Sequence, residues 1–115
     1  MIRIAIVAVL VCLAAVSFRA FWRTAVPDRG RTLVVTVEGM QFTPPALALH
    51  VGDRVVFQNH DLVPHTATAR TGEAFDSGPL PPAQEWSFTP TRVGTTPYAC
   101  LFHPTMTGCL VVTAP

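Results

Sequence analysis

The feature that most constrains the fold is a series of short β-branched and aromatic runs, interrupted by proline and glycine, between Thr32 and Thr113. No stretch of useful length in this region repeats apolar residues at helical spacing. We predict seven strands: Thr32–Val37, Ala46–Val51, Arg54–Asn59, Pro64–Ala69, Glu85–Thr89, Pro97–Cys100 and Cys109–Thr113. Their number and spacing favour an antiparallel β-sandwich or barrel, with at most one helical turn near Gly72–Phe75.

An uncharged apolar segment, Ile4–Ser17, lies upstream with arginine on both sides. This pattern is typical of a secretory leader, and the segment is short for a membrane span, which needs about 17 residues or more. Extension to Trp22 would give an anchor helix instead, so cleavage and retention both stay open. We expect export to the periplasm or to the outer face of the cytoplasmic membrane. The predicted division is a leader or anchor at 1–25, a linker at 26–31 and a folded domain at 32–115.

Length and charge exclude several classes of protein. A chain of 115 residues has room for one domain, which excludes enzymes built of two lobes. The formal net charge of +1 gives no electrostatic footprint for nucleic acid. The sequence offers no substrate pocket, general base or second metal set, so we expect that the protein is not an enzyme.

Ligand-type side chains cluster near the C-terminus. Cys100, His103 and Met106 lie within seven residues, and His65 lies near the start of the predicted strand Pro64–Ala69, about 35 residues upstream. A thiolate, two imidazoles and a weak thioether are the ligands of a trigonal copper site with a long axial bond. Zinc is the rival metal, but a closed structural zinc site uses four Cys or His ligands.

The remaining histidines and cysteines are expected to lie outside the metal site. His50 alternates with apolar residues of its strand and His60 lies in a polar turn, so both are predicted on the surface. Cys109 has no disulfide partner once Cys100 binds metal, because Cys12 lies in the leader. We interpret Cys109 as a buried or edge thiol, with a dimer-forming thiol as the alternative.

Motifs around these ligands follow one another in a recognisable order. They are Phe42-Thr43-Pro44-Pro45-Ala46-Leu47, Val51-Gly52-Asp53, Phe57-Gln58-Asn59-His60-Asp61, Pro64-His65-Thr66, Tyr98-Ala99-Cys100 and His103-Pro104-Thr105-Met106-Thr107-Gly108. The pattern resembles the small blue copper proteins, the cupredoxins, and most closely their amicyanin and plastocyanin-like branch. The two-residue gaps on either side of His103 look like the short ligand loop of amicyanins.

The resemblance implies a single-domain, all-β, antiparallel Greek-key β-sandwich that binds one type 1 copper ion. His65, Cys100 and His103 would be the strong ligands, and Met106 the axial ligand. Asn59 would hydrogen-bond across to the ligand-bearing loop and steady the thiolate side, as groups around metal ligands commonly do.

The resemblance also implies a docking surface for redox partners around the exposed edge of His103. Pro64, Phe102, Pro104 and Met40 would surround this edge with apolar area. The implied function is one-electron transfer between a donor and an acceptor protein, by a monomer that a retained N-terminal segment would tether to the membrane. One alternative is a copper-binding or copper-delivery protein without a role in electron flow. The other is a metal-free sandwich acting as a membrane-tethered interaction domain.

Overall fold

The computed structural model describes residues 30–70 and 74–115, so the predicted leader or anchor and most of the linker lie outside the described residues. Eight strands form in the described ranges: β1 Thr32–Glu38, β2 Gln41–Thr43, β3 Ala46–His50, β4 Arg54–Asn59, β5 Thr68–Ala69, β6 Glu85–Phe88, β7 Gly94–Ala99 and β8 Thr107–Thr113. Residues 74–75 are not helical, and the rest of the expected helical turn falls on undescribed positions. Across the described ranges, no helix has the length and apolar character needed to cross a membrane.

The strands form two four-stranded sheets, with the orders β2-β1-β4-β6 and β3-β8-β7-β5. The chain leaves the first sheet after β2 and returns to it at β4, which lies beside β1 in the same direction. Strands β3 and β8 are also parallel, whereas the other pairs are antiparallel. The predicted all-β sandwich is confirmed, and each of its sheets mixes parallel with antiparallel pairing.

The predicted strand at Pro64–Ala69 is shorter in the structure, where only Thr68–Ala69 belongs to a sheet. His65 pairs with the Leu80 backbone in an isolated bridge, and the next two amides bind side chains in place of a neighbouring strand. The Thr66 amide donates to Cys100 Sγ and the Ala67 amide donates to Ser77 Oγ. The residues before β5 therefore lie free of the sheet and belong to the site described below.

Other strands also differ from the prediction, most clearly β2 and β7, while β1, β3, β6 and β8 differ by one or two residues at one end. Strand β2 was missed because its three residues are too few to show alternation. It follows β1 through a tight turn at Gly39 and Met40, whose φ angles of 63° and 59° are both positive, as a two-residue hairpin turn requires. Strand β7 begins at Gly94, earlier than expected, because the polar residues before Pro97 also pair with β8.

The core lies between the two sheets and is rich in aromatic rings. Tyr98 is fully buried, and its ring centroid lies 4.8 Å from that of Phe42 and 5.4 Å from that of Phe57. Phe75 packs on the same cluster, 5.7 Å from Tyr98. Because Tyr98 lies two residues before Cys100, this cluster fixes the end of β7 from which Cys100 projects.

The two ends of the sandwich have different chemistry. Where β1 and β4 begin, the buried carboxylate of Asp53 accepts hydrogen bonds from the amides of His50 (2.8 Å) and Arg31 (3.0 Å) and from the Arg31 guanidinium (3.0 Å). The His50 amide, and then Arg31, lower the pKa of Asp53 against the opposing effect of burial. At the opposite end, where β4 and β7 finish and β8 begins, the loops contain the predicted metal ligands.

Candidate metal centre

The loop between β7 and β8 places Cys100 and Met106 inside the protein. The Cys100 amide donates to the Met106 carbonyl (3.1 Å), and the Met106 amide donates to the His103 carbonyl (2.8 Å). Cys100 and Met106 are 1% and 3% exposed, whereas Phe102 is 50% exposed. The closed loop therefore holds its two sulfur atoms on the buried side and its apex in solvent.

His65 lies in the loop between β4 and β5 and is fully buried. Its amide donates to the Leu80 carbonyl (3.1 Å), and the Leu80 amide donates back to the His65 carbonyl (2.7 Å). The Nδ1 atom of its ring is 3.7 Å from Cys100 Sγ, and Nε2 is 2.7 Å from Asp61 Oδ2. The ring therefore directs one nitrogen at the sulfur and the other at a carboxylate.

The third predicted ligand, His103, completes a compact cluster. Its Nδ1 atom is also 3.7 Å from Cys100 Sγ, and the ligand atoms of His65, Cys100 and His103 all lie within 4.8 Å of one another. Metal bonds of about 2.0 Å to nitrogen and about 2.3 Å to sulfur, at trigonal angles, place the two atoms about 3.7 Å apart. The observed spacing therefore fits one metal ion bound by these three residues.

The donor set distinguishes copper from zinc. The histidines that could complete a zinc site lie elsewhere: His50 is 3.3 Å from Arg31 at the opposite end, and the exposed His60 is 3.3 Å from Gln58. A further sulfur atom, that of Met106, belongs to the closed ligand loop. Two imidazoles, a thiolate and a weak thioether suit type 1 copper, so the residues present fit one such ion.

The hydrogen bond to the sulfur comes from Thr66, which the sequence did not single out. The Thr66 amide donates to Cys100 Sγ (3.3 Å), and Thr66 Oγ1 accepts from the Leu101 amide (2.8 Å). Thr66 is only 2% exposed. It therefore joins the segment that contains His65 directly to the segment that contains Cys100.

The structure corrects the role expected of Asn59, whose side chain lies on the His65 side of the site. Its Nδ2 atom donates to the carbonyls of Val63 and Leu80, both at 2.9 Å, and its Oδ1 accepts from the Asp61 amide (2.9 Å). Asn59 ends β4, and its side chain binds the loop that follows β4 and the Leu80 segment that pairs with His65, not the Cys100 loop. It stabilises the segment that positions His65.

Asp61 is a second residue that sequence reasoning missed. Besides contacting His65, its carboxylate accepts from the amides of Gly39 (2.7 Å) and Met40 (3.1 Å) in the β1–β2 turn. Burial raises the pKa of Asp61, but the Met40 amide, His65 and the Gly39 amide together lower it by more. An ionised Asp61 keeps the hydrogen of His65 on Nε2 and leaves Nδ1 free for a metal. The one available signal was an acidic residue four positions before the ligand.

The residues predicted for partner docking are all solvent-exposed at the metal end. Met40 is 41% exposed in the β1–β2 turn, while Pro64, Phe102 and Pro104 are exposed in the two ligand loops. Arg70 borders this area, since its Nη2 atom is 3.4 Å from the Pro104 carbonyl oxygen. Three further exposed apolar residues on the same loops were not predicted: Leu62, Val63 and Leu101.

Comparison with known proteins agrees with this geometry, although no family model matches the chain. The chain is 37% identical over 84 residues to amicyanin from Paracoccus denitrificans, and 27% identical over 84 residues to amicyanin from Paracoccus versutus. Each match covers 70% of this chain and 64% of the relative.

Solved structures show the same relationship. An oxidised amicyanin with a methionine-to-leucine substitution has a TM-score of 0.67 at 32% identity, over 70% of this chain and 81% of that one. A copper-containing nitrite reductase from Thermus scotoductus has a TM-score of 0.68 at 28% identity, over 73% of this chain but 23% of that one. The fold, the histidine–cysteine–histidine cluster and these similarities show that the chain belongs to the cupredoxins and is amicyanin-like.

Proposed function

We propose that this protein binds one type 1 copper ion through His65, Cys100, His103 and Met106 and transfers single electrons between a donor and an acceptor protein. The observation that carries the proposal is the cluster of His65, Cys100 and His103, in which both Nδ1 atoms lie 3.7 Å from the sulfur. The similarity to amicyanins supports the same function.

The residues of the chain would act mainly by holding the ligands still. Bound copper would supply the one-electron couple between Cu(I) and Cu(II). Thr66 restrains the sulfur of Cys100, and Asp61 together with the Leu80 backbone restrains His65. Ligands held in one arrangement rearrange little between the two oxidation states, and small rearrangement favours fast electron transfer.

Electrons would enter and leave at the edge of His103, the one ligand of the histidine–cysteine–histidine cluster that is not buried. Four exposed apolar residues, which we call the docking surface, lie in the surrounding loops: Met40, Pro64, Phe102 and Pro104. Exposed apolar area of this kind marks interaction sites, and small interfaces are typical of weak, transient redox complexes.

A copper-delivery protein would use the same ligands, but the burial of the site favours a carrier. Delivery requires ready exchange of the metal, whereas His65 and Cys100 are 0% and 1% exposed and hydrogen-bonded. An enzymatic role is also disfavoured. The nitrite reductase neighbour is a much longer chain, of which this chain covers 23%.

The proposal places the carrier outside the cytoplasm as a monomer, in the periplasm or attached to the outer face of the cytoplasmic membrane. The support for export is the apolar segment Ile4–Ser17. Attachment would require that this segment is retained after export.

Electrochemistry on the copper-loaded full chain tests the function. We expect a reversible one-electron wave and fast self-exchange when oxidised and reduced samples are mixed. The matched control is Cys100→Ser, which removes the thiolate and should abolish both. Slow self-exchange combined with rapid loss of copper to a soluble chelator would contradict the carrier function and support delivery.

A further inference from the structure

A line of hydrogen-bonding side chains runs from the metal centre to an exposed carboxylate. Thr66 Oγ1 lies 3.0 Å from Thr68 Oγ1, which lies 3.0 Å from Asp76 Oδ1. Asp76 is exposed on the loop before β6, where it also accepts a hydrogen bond from the Gly78 amide (2.9 Å). The inner end of the line is Thr66, the residue that donates to Cys100 Sγ. Asp76 is thus connected to the metal centre without contacting a ligand.

Each threonine hydroxyl group has a single hydrogen, and this determines which group donates and which accepts in each hydrogen bond of the line. The Thr68 hydroxyl has one hydrogen and lies within reach of both Thr66 and Asp76, and the ionised carboxylate of Asp76 is the stronger acceptor. The buried Thr66 hydroxyl also needs an acceptor for its own hydrogen, and Thr68 Oγ1 is in reach. The Thr66 hydroxyl therefore donates to Thr68, and the Thr68 hydroxyl donates to Asp76.

This direction has a consequence for Cys100. Hydrogen bonds in a chain polarise one another, so the negative charge of Asp76 makes Thr66 Oγ1 a better acceptor for the Leu101 amide. The bond from Leu101 to Thr66 holds together the two backbone segments that the N–H···S bond also joins. A firmly held N–H···S bond stabilises the more electron-rich sulfur of a reduced site.

We propose that Asp76 is a positioning residue for Cys100, acting through Thr68 and Thr66, and that it raises the reduction potential of the bound copper. This inference rests on the proposed copper site. Asp76 itself lies on a surface loop that contains none of the proposed copper ligands.

The first test removes the Thr68 hydroxyl group, the middle member of the line, without changing the charge of the protein. We expect Thr68→Val to lower the equilibrium constant for reduction against a fixed mediator about threefold to tenfold, or about 30 to 60 mV at 59 mV per tenfold. Thr68→Ser keeps the hydroxyl and should stay within about twofold of the wild type. Ser77→Ala is the matched control, because it removes the bond to the Ala67 amide in the same region but off the line. An equal shift in Ser77→Ala would overturn the proposal.

The second test uses the sign of the change in reduction potential when Asp76 is substituted. Loss of the negative charge of Asp76 raises the reduction potential if the charge acts through space. Loss of the polarisation that this charge exerts through Thr68 and Thr66 lowers the reduction potential. We expect Asp76→Asn to lower the potential in the wild-type background but not in Thr68→Val, where the line is already cut. A rise in both backgrounds would show that Asp76 acts only through space.

The third test needs no copper and therefore separates this inference from the proposed function. In the metal-free full chain, Thr68→Val should speed hydrogen exchange of the Leu101 amide about tenfold, and Ser77→Ala should not. If copper does not form a type 1 site, the proposed function fails while the exchange result still reports on the line. Unchanged exchange at Leu101 in Thr68→Val would overturn the line itself.

Discussion

Two residues that contact the ligands, Asp61 and Thr66, determine how the metal centre is held. Asp61 binds the far nitrogen of His65, and the Thr66 amide binds the sulfur of Cys100. Each also binds a second loop, since Asp61 accepts from the Met40 amide and Thr66 Oγ1 accepts from the Leu101 amide. The ligands are therefore fixed by loops that meet at one end of the sandwich, and substitutions at these contacts should alter the copper without unfolding the domain.

Asp61→Asn should raise the reduction potential and weaken Cu(II) binding about 10-fold to 100-fold. The carboxylate makes the His65 imidazole a stronger donor and so favours the oxidised metal, whereas an amide keeps an acceptor oxygen but loses the charge. Potential and affinity are measured by voltammetry and by competition with a chelator. Glu38→Gln removes an equal charge next to the same turn and serves as control. An equal effect of both substitutions would mean that general charge, not the contact with His65, is responsible.

Met106→Leu should leave copper bound and the protein coloured, with a higher potential. A weak axial ligand contributes little to metal retention, but its loss destabilises Cu(II) more than Cu(I). Metal analysis, visible spectroscopy and voltammetry on one preparation check all three outcomes. If copper is lost on this change, Met106 is a principal ligand and the site is not of the proposed type.

At the scale of strands and loops, the sequence predicted the regular elements better than the contacts between loops. Strand β4 has the predicted bounds, Arg54–Asn59, because its apolar run is bounded by turn residues. The sequence predicts a strand over Pro64–Ala69, but before β5 the Thr66 and Ala67 amides bind side chains, and this depends on residues such as Ser77 that are distant in sequence.

In the metal site, too, the sequence predicted the features that depend on neighbouring residues and not those that depend on contacts between loops. The spacing of Cys100, His103 and Met106 is local, so their clustering was evident from the sequence. The partner of Asn59 and the role of Thr66 depend on how two loops meet in the folded chain. Residue type alone did not determine them.

Gly108→Ala should destabilise the domain by about 1 to 3 kcal/mol. Gly108 lies opposite Tyr98 in the β7–β8 pair, and a Cβ at this position would clash with the ring carbon Cζ of Tyr98. Tyr98 is fully buried against the rings of Phe42 and Phe57, so its ring could move away only by disturbing that packing. Urea unfolding of the metal-free protein measures the effect. Cys109→Ala, at the next position and on the other face of β8, should cost less, and equal losses would contradict the steric explanation.

At the scale of the whole molecule, the sandwich separates its metal end from its Asp53 end. The fully buried Asp53 ties Arg31, which precedes β1, to the end of β3. The docking surface and His103 lie at the opposite end. The chain therefore enters the domain at the end opposite the one where electrons would leave it. A tether attached before β1 would leave the docking surface accessible.

Pro104→Glu should slow electron transfer to the physiological partner at least about tenfold, a change of about 1.4 kcal/mol, with the copper spectrum unchanged. A charge on an apolar surface loses its hydration when the partner docks. Ala48→Glu places the same charge on the exposed face of β3 and should have little effect. In the proposed docking mode the partner makes mainly apolar contacts, so the wild-type rate should depend weakly on ionic strength. Electron-transfer rates that are unchanged in Pro104→Glu but fall strongly in high salt would indicate docking through a charged surface elsewhere.

The most direct test of the account is titration of Cu(II) into the metal-free full chain, followed by visible absorption. We expect intense red absorption, and hence a blue protein, that saturates at one copper per chain, because a thiolate bound to trigonal Cu(II) gives this transition. Cys109→Ser should keep the colour and Cys100→Ser should lose it. Copper binding without colour, or equal colour in Cys100→Ser, would contradict a type 1 site built on His65, Cys100, His103 and Met106.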